Sequence, residues 1–465
     1  MTAGPIINIS QELGSKLSPA ASIHLISSPE DFEEFFVSWS GFNRKEPSAV
    51  VKIATEEDAV QAVLWATSKS IPFAVKGGGH SVFCTIGKEG IIIDLTAFNH
   101  ISVHEETVDV QGGGLTEDVI SAVFERGRCV VTGTCDKVGV TGAVLGGGLG
   151  PIQGVHGMMI DNLLSARVIT AEGKLVTASE SENPDLFWAL RGAGHRFGLV
   201  TQVTFKTHDL SSLGSKDGSI WNAFMVWGEH QLEQLTDVVN SFNWNKHTSA
   251  YFAFANMPPD FKPTIATILI FFGSDEEADV YFKPILSLGP LMKQIQRLPY
   301  NLINMLERPQ QALGGYKSQF GAGVQTINPK KMVEIYKKYS EFVTAHPNAV
   351  RSAVVIEIFG MDKVREIDSE STAFAHRDVN FWTFPLAWYE DPATEADATK
   401  FGNEVRQLFR DGDSREEAVA YVNFNRGDES HAMTYGSEER VERLLSLKKK
   451  WDPRGVFGGL VAQLE

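Results

Sequence analysis

Two stretches of backbone that are nearly free of Cβ atoms constrain this chain more than any other feature. The first is Lys76-Gly-Gly-Gly-His80-Ser81, in which Gly77, Gly78 and Gly79 are consecutive. The second is Gly133-Thr-Cys135-Asp-Lys-Val138-Gly139-Val-Thr141-Gly142-Ala-Val-Leu-Gly146-Gly147-Gly148-Leu-Gly150. Such runs cost backbone entropy and fill no volume, so core packing does not account for them. They suit loops that press against a large planar ligand or ring a phosphate with N–H donors. A tight surface turn is the plainer account of the first loop. The glycine density of the second is hard to sustain unless a ligand fills the space that side chains would have taken.

The rest of the composition narrows the setting. At 465 residues, two domains are the natural expectation. The net charge of −16 argues against nonspecific nucleic-acid binding or an anionic membrane surface. The three cysteines, Cys84, Cys129 and Cys135, suggest neither a disulfide framework nor a metal site. The N-terminus lacks the basic and apolar regions of a secretory signal, which points to a cytoplasmic protein. Asn8-Ile-Ser10 is then an accidental sequon. The most apolar run, Ile265–Phe272, has the length of a buried strand and not of a membrane span.

Periodicity predicts strands at Ala49–Ile53, Ile71–Val75, Gly90–Leu95, Thr107–Gln111, Arg128–Val131 and Leu199–Lys206. It predicts a hairpin of Ser165–Thr170 with Lys174–Thr177 around Glu172-Gly173. Thr55 and Asp58 form a variant capping box for a helix whose inward face carries Val60, Val63, Leu64 and Thr67. The order of elements is not a regular βαβ repeat, and no glycine cluster spells a dinucleotide fingerprint between strand and helix. After residue 210, Leu232, Leu235, Val238 and Val239 mark an amphipathic helix. Ala250–Phe254, Ile265–Phe272, Ala353–Phe359 and Phe381–Ala387 read as strands of one further sheet, and a last helix covers Glu438–Lys449.

His80 and Cys135 allow two readings. One is a satisfied loop histidine and a small buried hydrophobe. Their glycine-rich settings favour the other, two nucleophiles aimed at one electron-poor isoalloxazine ring. At this point the chain resembles the FAD-linked oxidases of the vanillyl-alcohol oxidase and p-cresol methylhydroxylase superfamily. The resemblance is to the berberine bridge enzyme-like branch, which includes 6-hydroxy-D-nicotine oxidase. It rests on Gly77–Ser81, Gly133–Gly150, Gly157–Thr177 with Asp161-Asn162 and Val168–Gly173, Asp185–Gly192, Ala375-His-Arg377, Tyr421-Val-Asn423 and Lys448–Phe457, and spans about residues 45–460.

The resemblance implies an α+β fold: a leader (1–44), a PCMH-type FAD-binding domain (45–210), an inserted α+β substrate domain (211–419) and a C-terminal segment (420–465) that completes the FAD domain. It implies FAD bonded covalently to His80 and, in bicovalent members, also to Cys135, which raises the flavin potential. Gly77, Gly78, Gly79, Ser81, Val138, Gly139, Thr141, Gly142, Gly147, Gly148, Val200 and Asn423 would complete the cofactor site. The implied reaction is hydride transfer from a phenolic, alkaloid or polyketide-like substrate to flavin N5 and then to dioxygen, in specialised metabolism. No metal is expected, and the oligomeric state stays open.

The departures bear on mechanism. Lys76 replaces a frequent arginine, Cys84 a glycine, and Arg196 a small polar residue. Phe424 stands where plant members carry a basic tyrosine, and Thr383 where bridge-forming enzymes carry a glutamate. Tyr421 and Glu357 are the remaining candidate bases. The rival functions are a redox-neutral cyclase, a dehydrogenase with another acceptor, and a non-catalytic binder that keeps a relic flavin fold.

Overall fold

The computed structural model describes residues 8–215, 217–258, 260–305, 308 and 311–459. Ala49–Lys52, Ile91–Asp94 and Phe73–Lys76 form a parallel sheet in that spatial order. Val51 and Ile93 face the helix Glu56–Ser68, while Val50 and Ile92 pack under Phe32 and Phe36. Residues ahead of position 45 thus do more than lead in. They cover one face of the sheet and add Ser22–Leu25 as an antiparallel edge strand. The Thr55 hydroxyl accepts the Asp58 N–H and the Asp58 carboxylate accepts the Thr55 N–H, which closes the expected capping box. The inward face of that helix differs from the expected one. Val63 is buried, but Ala59, Ala62, Trp65 and Ala66 turn inward with it, and Leu64 is exposed. The alanines let the helix lie close to the sheet, and Leu64 instead lies over Gly173.

A second, antiparallel sheet runs Ile101–Val103, Thr107–Gln111, Leu199–Lys206, Leu163–Ile169, Leu175–Ser179. The third is the largest. Its order is Met292–Pro299, Ser219–Trp227, Lys262–Phe271, Thr248–Met257, Ala353–Phe359, Phe381–Tyr389, Tyr316–Gln319, and Ala322–Val324 also pairs with Phe381–Tyr389. Strand periodicity divides its residues between two layers. Phe252, Phe254, Ile356 and Ile358 pack with residues of the helices Leu232–Ser241, Pro329–Ala345 and Glu395–Asp411. Tyr251 and Trp382, from the other face, join the core of the glycine-rich loops. The chain then returns to the first sheet, where Phe457 meets Phe73 edge-on at 5.6 Å. This is the expected α+β architecture. Among the described residues no helix is long and apolar enough to cross a membrane.

His156 and His208 stack with ring centroids 3.7 Å apart, bonded to Ser212 (2.9 Å) and Asn162 (2.7 Å) respectively. Burial depresses both imidazoles. His156 falls to about 3, helped by His208 and Lys206; His208 falls to about 4, helped by Lys206 and Arg128 and opposed by Asp209. The unfolded chain therefore takes up protons first as pH drops below about 6.5, and stability is lost from there down to the folded values. The melting temperature should fall between pH 6.5 and pH 4.5, and His156→Gln should make that decline shallower.

Candidate active site at the meeting of two glycine loops

The two loops touch backbone to backbone. A Cβ on Gly78 would lie 2.4 Å from the Gly139 nitrogen, and one on Gly139 would lie 2.7 Å from the Gly78 nitrogen. Most glycines of the second loop likewise make room for protein, a reason for their density beside the ligand expected from it. Gly146 makes room for the Asn423 amide, Gly147 for Phe374, Gly148 for Met159 and Gly150 for the Thr132 carbonyl. Gly148 also has φ +74°, a conformation that L side chains resist. Within Gly139–Gly150, only Gly142 has nothing within 4 Å of a built Cβ.

In the first loop, a Cβ on Gly77 would sit 3.0 Å from the Gly112 carbonyl. The Gly79 carbonyl accepts the Trp39 N–H (2.9 Å), and the Ser81 hydroxyl accepts the Phe83 N–H (3.2 Å). A buried Lys76–Asp94 pair (3.0 Å) anchors the root of the loop. Cys84 tucks back, its thiol donating to the Val75 carbonyl at 3.0 Å. Burial pushes that thiol, and that of Cys129, up to about 12.

His80 is half-buried, with its Nε2 shut away from solvent, and stacks on Trp39, with centroids 5.4 Å apart and planes 14° apart. Burial first, and the Lys317 charge second, lower its imidazole to about 3. It is therefore neutral at physiological pH, the state in which a ring nitrogen is nucleophilic. Cys135 is half-buried and in no disulfide. Side chains beyond residue 300 pin its loop. Tyr300 bonds both the N–H and the carbonyl of Val130, and Asn304 donates to the Gly133 carbonyl at 3.3 Å. Arg308 pairs with buried Asp136 at 2.7 Å, and Gln311 accepts the Asp136 N–H at 3.0 Å. Thr134, next to Cys135, donates to Glu357 at 3.1 Å. The Val138 carbonyl accepts two bonds from Thr116.

Tyr421 reaches the second loop from the C-terminal segment. Its hydroxyl oxygen accepts the Gly148 N–H (2.9 Å), the Leu149 N–H (3.3 Å) and the Asn423 amide (2.8 Å). Asn423 also donates to the Ala143 carbonyl at 2.9 Å, so its amide holds the loop and the tyrosine together. Burial pushes the Tyr421 phenol up to about 12, with the Glu357 charge adding to the rise and the three hydrogen bonds opposing it. Around it stand Trp382 at 5.4 Å and Phe424 at 4.9 Å, and Phe384 lies 4.8 Å from Phe424. Thr383 is wholly buried and donates to the Ala322 carbonyl. Val200 is buried in the second sheet, opposite Val168. The Arg196 carbonyl accepts from Lys448.

Three observations fit a bound cofactor here. His80 Nε2 and Thr141 Oγ1 are buried without a hydrogen-bond partner among the described residues, and Gly142 fronts open space. Residues 47–179 match the family described as FAD binding domain, and residues 420–459 match berberine and berberine like. The FAD-linked oxidoreductase hasG of Aspergillus fumigatus is 34% identical, over 94% of this chain and 96% of its own length.

The chain belongs to the FAD-linked oxidoreductases. This oxidoreductase shares its fold with BBE-like 1 of Physcomitrella patens, with a TM-score of 0.83 and 22% identity over 98% of this chain and 99% of that one. It shares it equally with glucooligosaccharide oxidase of Acremonium strictum, with a TM-score of 0.82 and 21% identity over 97% and 98%. Among the described residues, no cluster of three or more His, Cys, Asp or Glu side chains could hold a metal.

The sequence brought forward His80, Cys135, Tyr421, Asn423 and Glu357, and the fold gathers them. It did not bring forward Trp39, Thr134, Lys317 or Trp382. Gly78→Ala should cost about 1–3 kcal/mol of stability through overpacking, read by denaturant unfolding. Gly142→Leu should leave apoprotein stability within about 0.5 kcal/mol yet lower the flavin-to-protein absorbance ratio.

Proposed function

We propose that this FAD-linked oxidoreductase is an oxidase of a small phenolic or enolic substrate, with its flavin tethered at His80 and Cys135. The tether reading draws support from glucooligosaccharide oxidase, whose flavin is described as 6-S-cysteinyl, 8α-N1-histidyl FAD. Here a neutral imidazole and a thiol, both half-buried, stand on two touching loops. Bound FAD supplies a hydride acceptor and a route for electrons to dioxygen.

The observation that carries the reading is Glu357. This buried carboxylate lies on a central strand of the middle sheet and is bonded to Thr134, one residue from Cys135. It is also close enough to Tyr421 to raise the phenol. A phenol at about 12 stays protonated at neutral pH, so Tyr421 serves as a donor to a substrate oxygen. Glu357 takes the substrate hydroxyl proton as the carbon–hydrogen bond breaks. Trp382, Phe384 and Phe424 exclude water around both groups and offer flat faces to an aromatic substrate. Thr383 and Phe424, at the two positions where relatives carry a base, are respectively hydrogen-bonded to a carbonyl and apolar. This favours a substrate whose own hydroxyl is acidic.

Glu357→Gln should lower kcat by about 100-fold or more while the protein stays yellow, measured by peroxide release across a panel of phenols. A wild-type rate in that variant would remove Glu357 from the chemistry. Products isomeric with substrate, formed without oxygen uptake, would make the enzyme a cyclase. A reduced enzyme that persists in air would make it a dehydrogenase.

A further inference from the structure

Lys317 lies on the strand Tyr316–Gln319 at one edge of the middle sheet, and its side chain is fully buried. Its ammonium donates to three backbone carbonyls: Trp39 (2.6 Å), Ala312 (2.7 Å) and Gly314 (2.5 Å). Three N–H donors thus meet three acceptors, which completes the hydrogen bonding of a buried cation without a carboxylate. The rings of Trp388 and Trp39 lie 4.1 Å and 5.0 Å from the same nitrogen, within cation–π range. Ser40 doubles the link, since its hydroxyl donates to the Lys317 carbonyl (2.8 Å) and accepts the Lys317 N–H (2.7 Å). Trp39 is therefore fastened at its carbonyl, its ring and its neighbour, and its free ring face stacks on His80.

We propose that Lys317 is a positioning residue for flavin attachment: it holds the Trp39 indole as a backstop for His80. The inference rests on the tether reading above. Attachment forms a bond from an imidazole nitrogen to the flavin 8-methyl carbon and breaks one methyl C–H and one imidazole N–H bond. The two electrons and two protons released go to dioxygen, giving hydrogen peroxide. A cation near His80 disfavours the imidazolium, and a rigid indole removes the freedom of the ring to turn away. Lys317 itself lies low for a lysine, at about 7, through burial first, with Glu390 raising it and Arg351 lowering it further. Both of those groups border Trp388, at 3.3 Å from its indole nitrogen and 5.0 Å from its ring.

The test compares wild type with Lys317→Met, which keeps the length of the chain and removes the charge and donors. The readouts are the fraction of flavin that precipitates with the protein in acid and FAD bound before precipitation. The acid-stable fraction should fall by about ten-fold or more while total FAD bound stays at the wild-type level, a split that general loss of fold does not produce. Trp39→Leu, which removes the backstop and leaves the lysine, should show the same split and carries the test if Lys317→Met does not fold. Wild-type attachment in either folded variant overturns the role of Lys317. A wild-type protein without any acid-stable flavin overturns the tether itself, and this inference with it.

Discussion

Everything at the site depends on two backbones meeting where neither has a side chain. Gly78 and Gly139 approach within a distance that any Cβ would close. That contact joins the loop of His80, two residues past the first glycine, to the loop of Cys135, four residues before the second. Gly139 is also the N-cap of the short helix Val140–Leu145, so the same contact fixes where Thr141 and Gly142 stand. The remaining glycines of the loop extend the logic. They admit Asn423 from the C-terminal segment and Phe374 from the middle domain, and so make the loop a hub at which three parts of the chain converge.

The polar groups at this hub are held in the states that chemistry requires by burial and by one cation. Burying an imidazole or a phenol disfavours its charged form, which leaves His80 unprotonated and Tyr421 protonated across the neutral range. Lys317 adds to the first effect through its charge, and Glu357 adds to the second. A buried charge without a counter-ion is costly unless its hydrogen bonds are complete. The three carbonyls around Lys317 meet that condition.

Much of this was legible in the sequence, and the illegible part has a common cause. The strands Thr107–Gln111, Leu199–Lys206 and Ala353–Phe359 fall where alternation or an apolar run put them, because their period is local. The Thr55 capping box is likewise a matter of neighbouring residues. Ser22–Leu25 escaped notice because an edge strand need not be strongly apolar, and none of its residues is buried. The helix Glu56–Ser68 was given the wrong face because β-branched bulk was weighed above alanine, whereas close helix–sheet packing selects small residues. Trp39 and Lys317 are 278 positions apart, and no local pattern announces a contact made across that distance. The glycine loops were legible as a site but not in detail, since sequence cannot distinguish a glycine that admits a ligand from one that admits another loop.

The geometry also ties the two glycine loops to the middle sheet. The backstop for His80 needs Trp39, and Trp39 is fastened by Lys317, whose strand pairs only with Phe381–Tyr389. Glu357 reaches Thr134 from Ala353–Phe359, which pairs with both Thr248–Met257 and Phe381–Tyr389. The setting of both glycine loops therefore depends on the middle sheet as well as on their own lack of side chains.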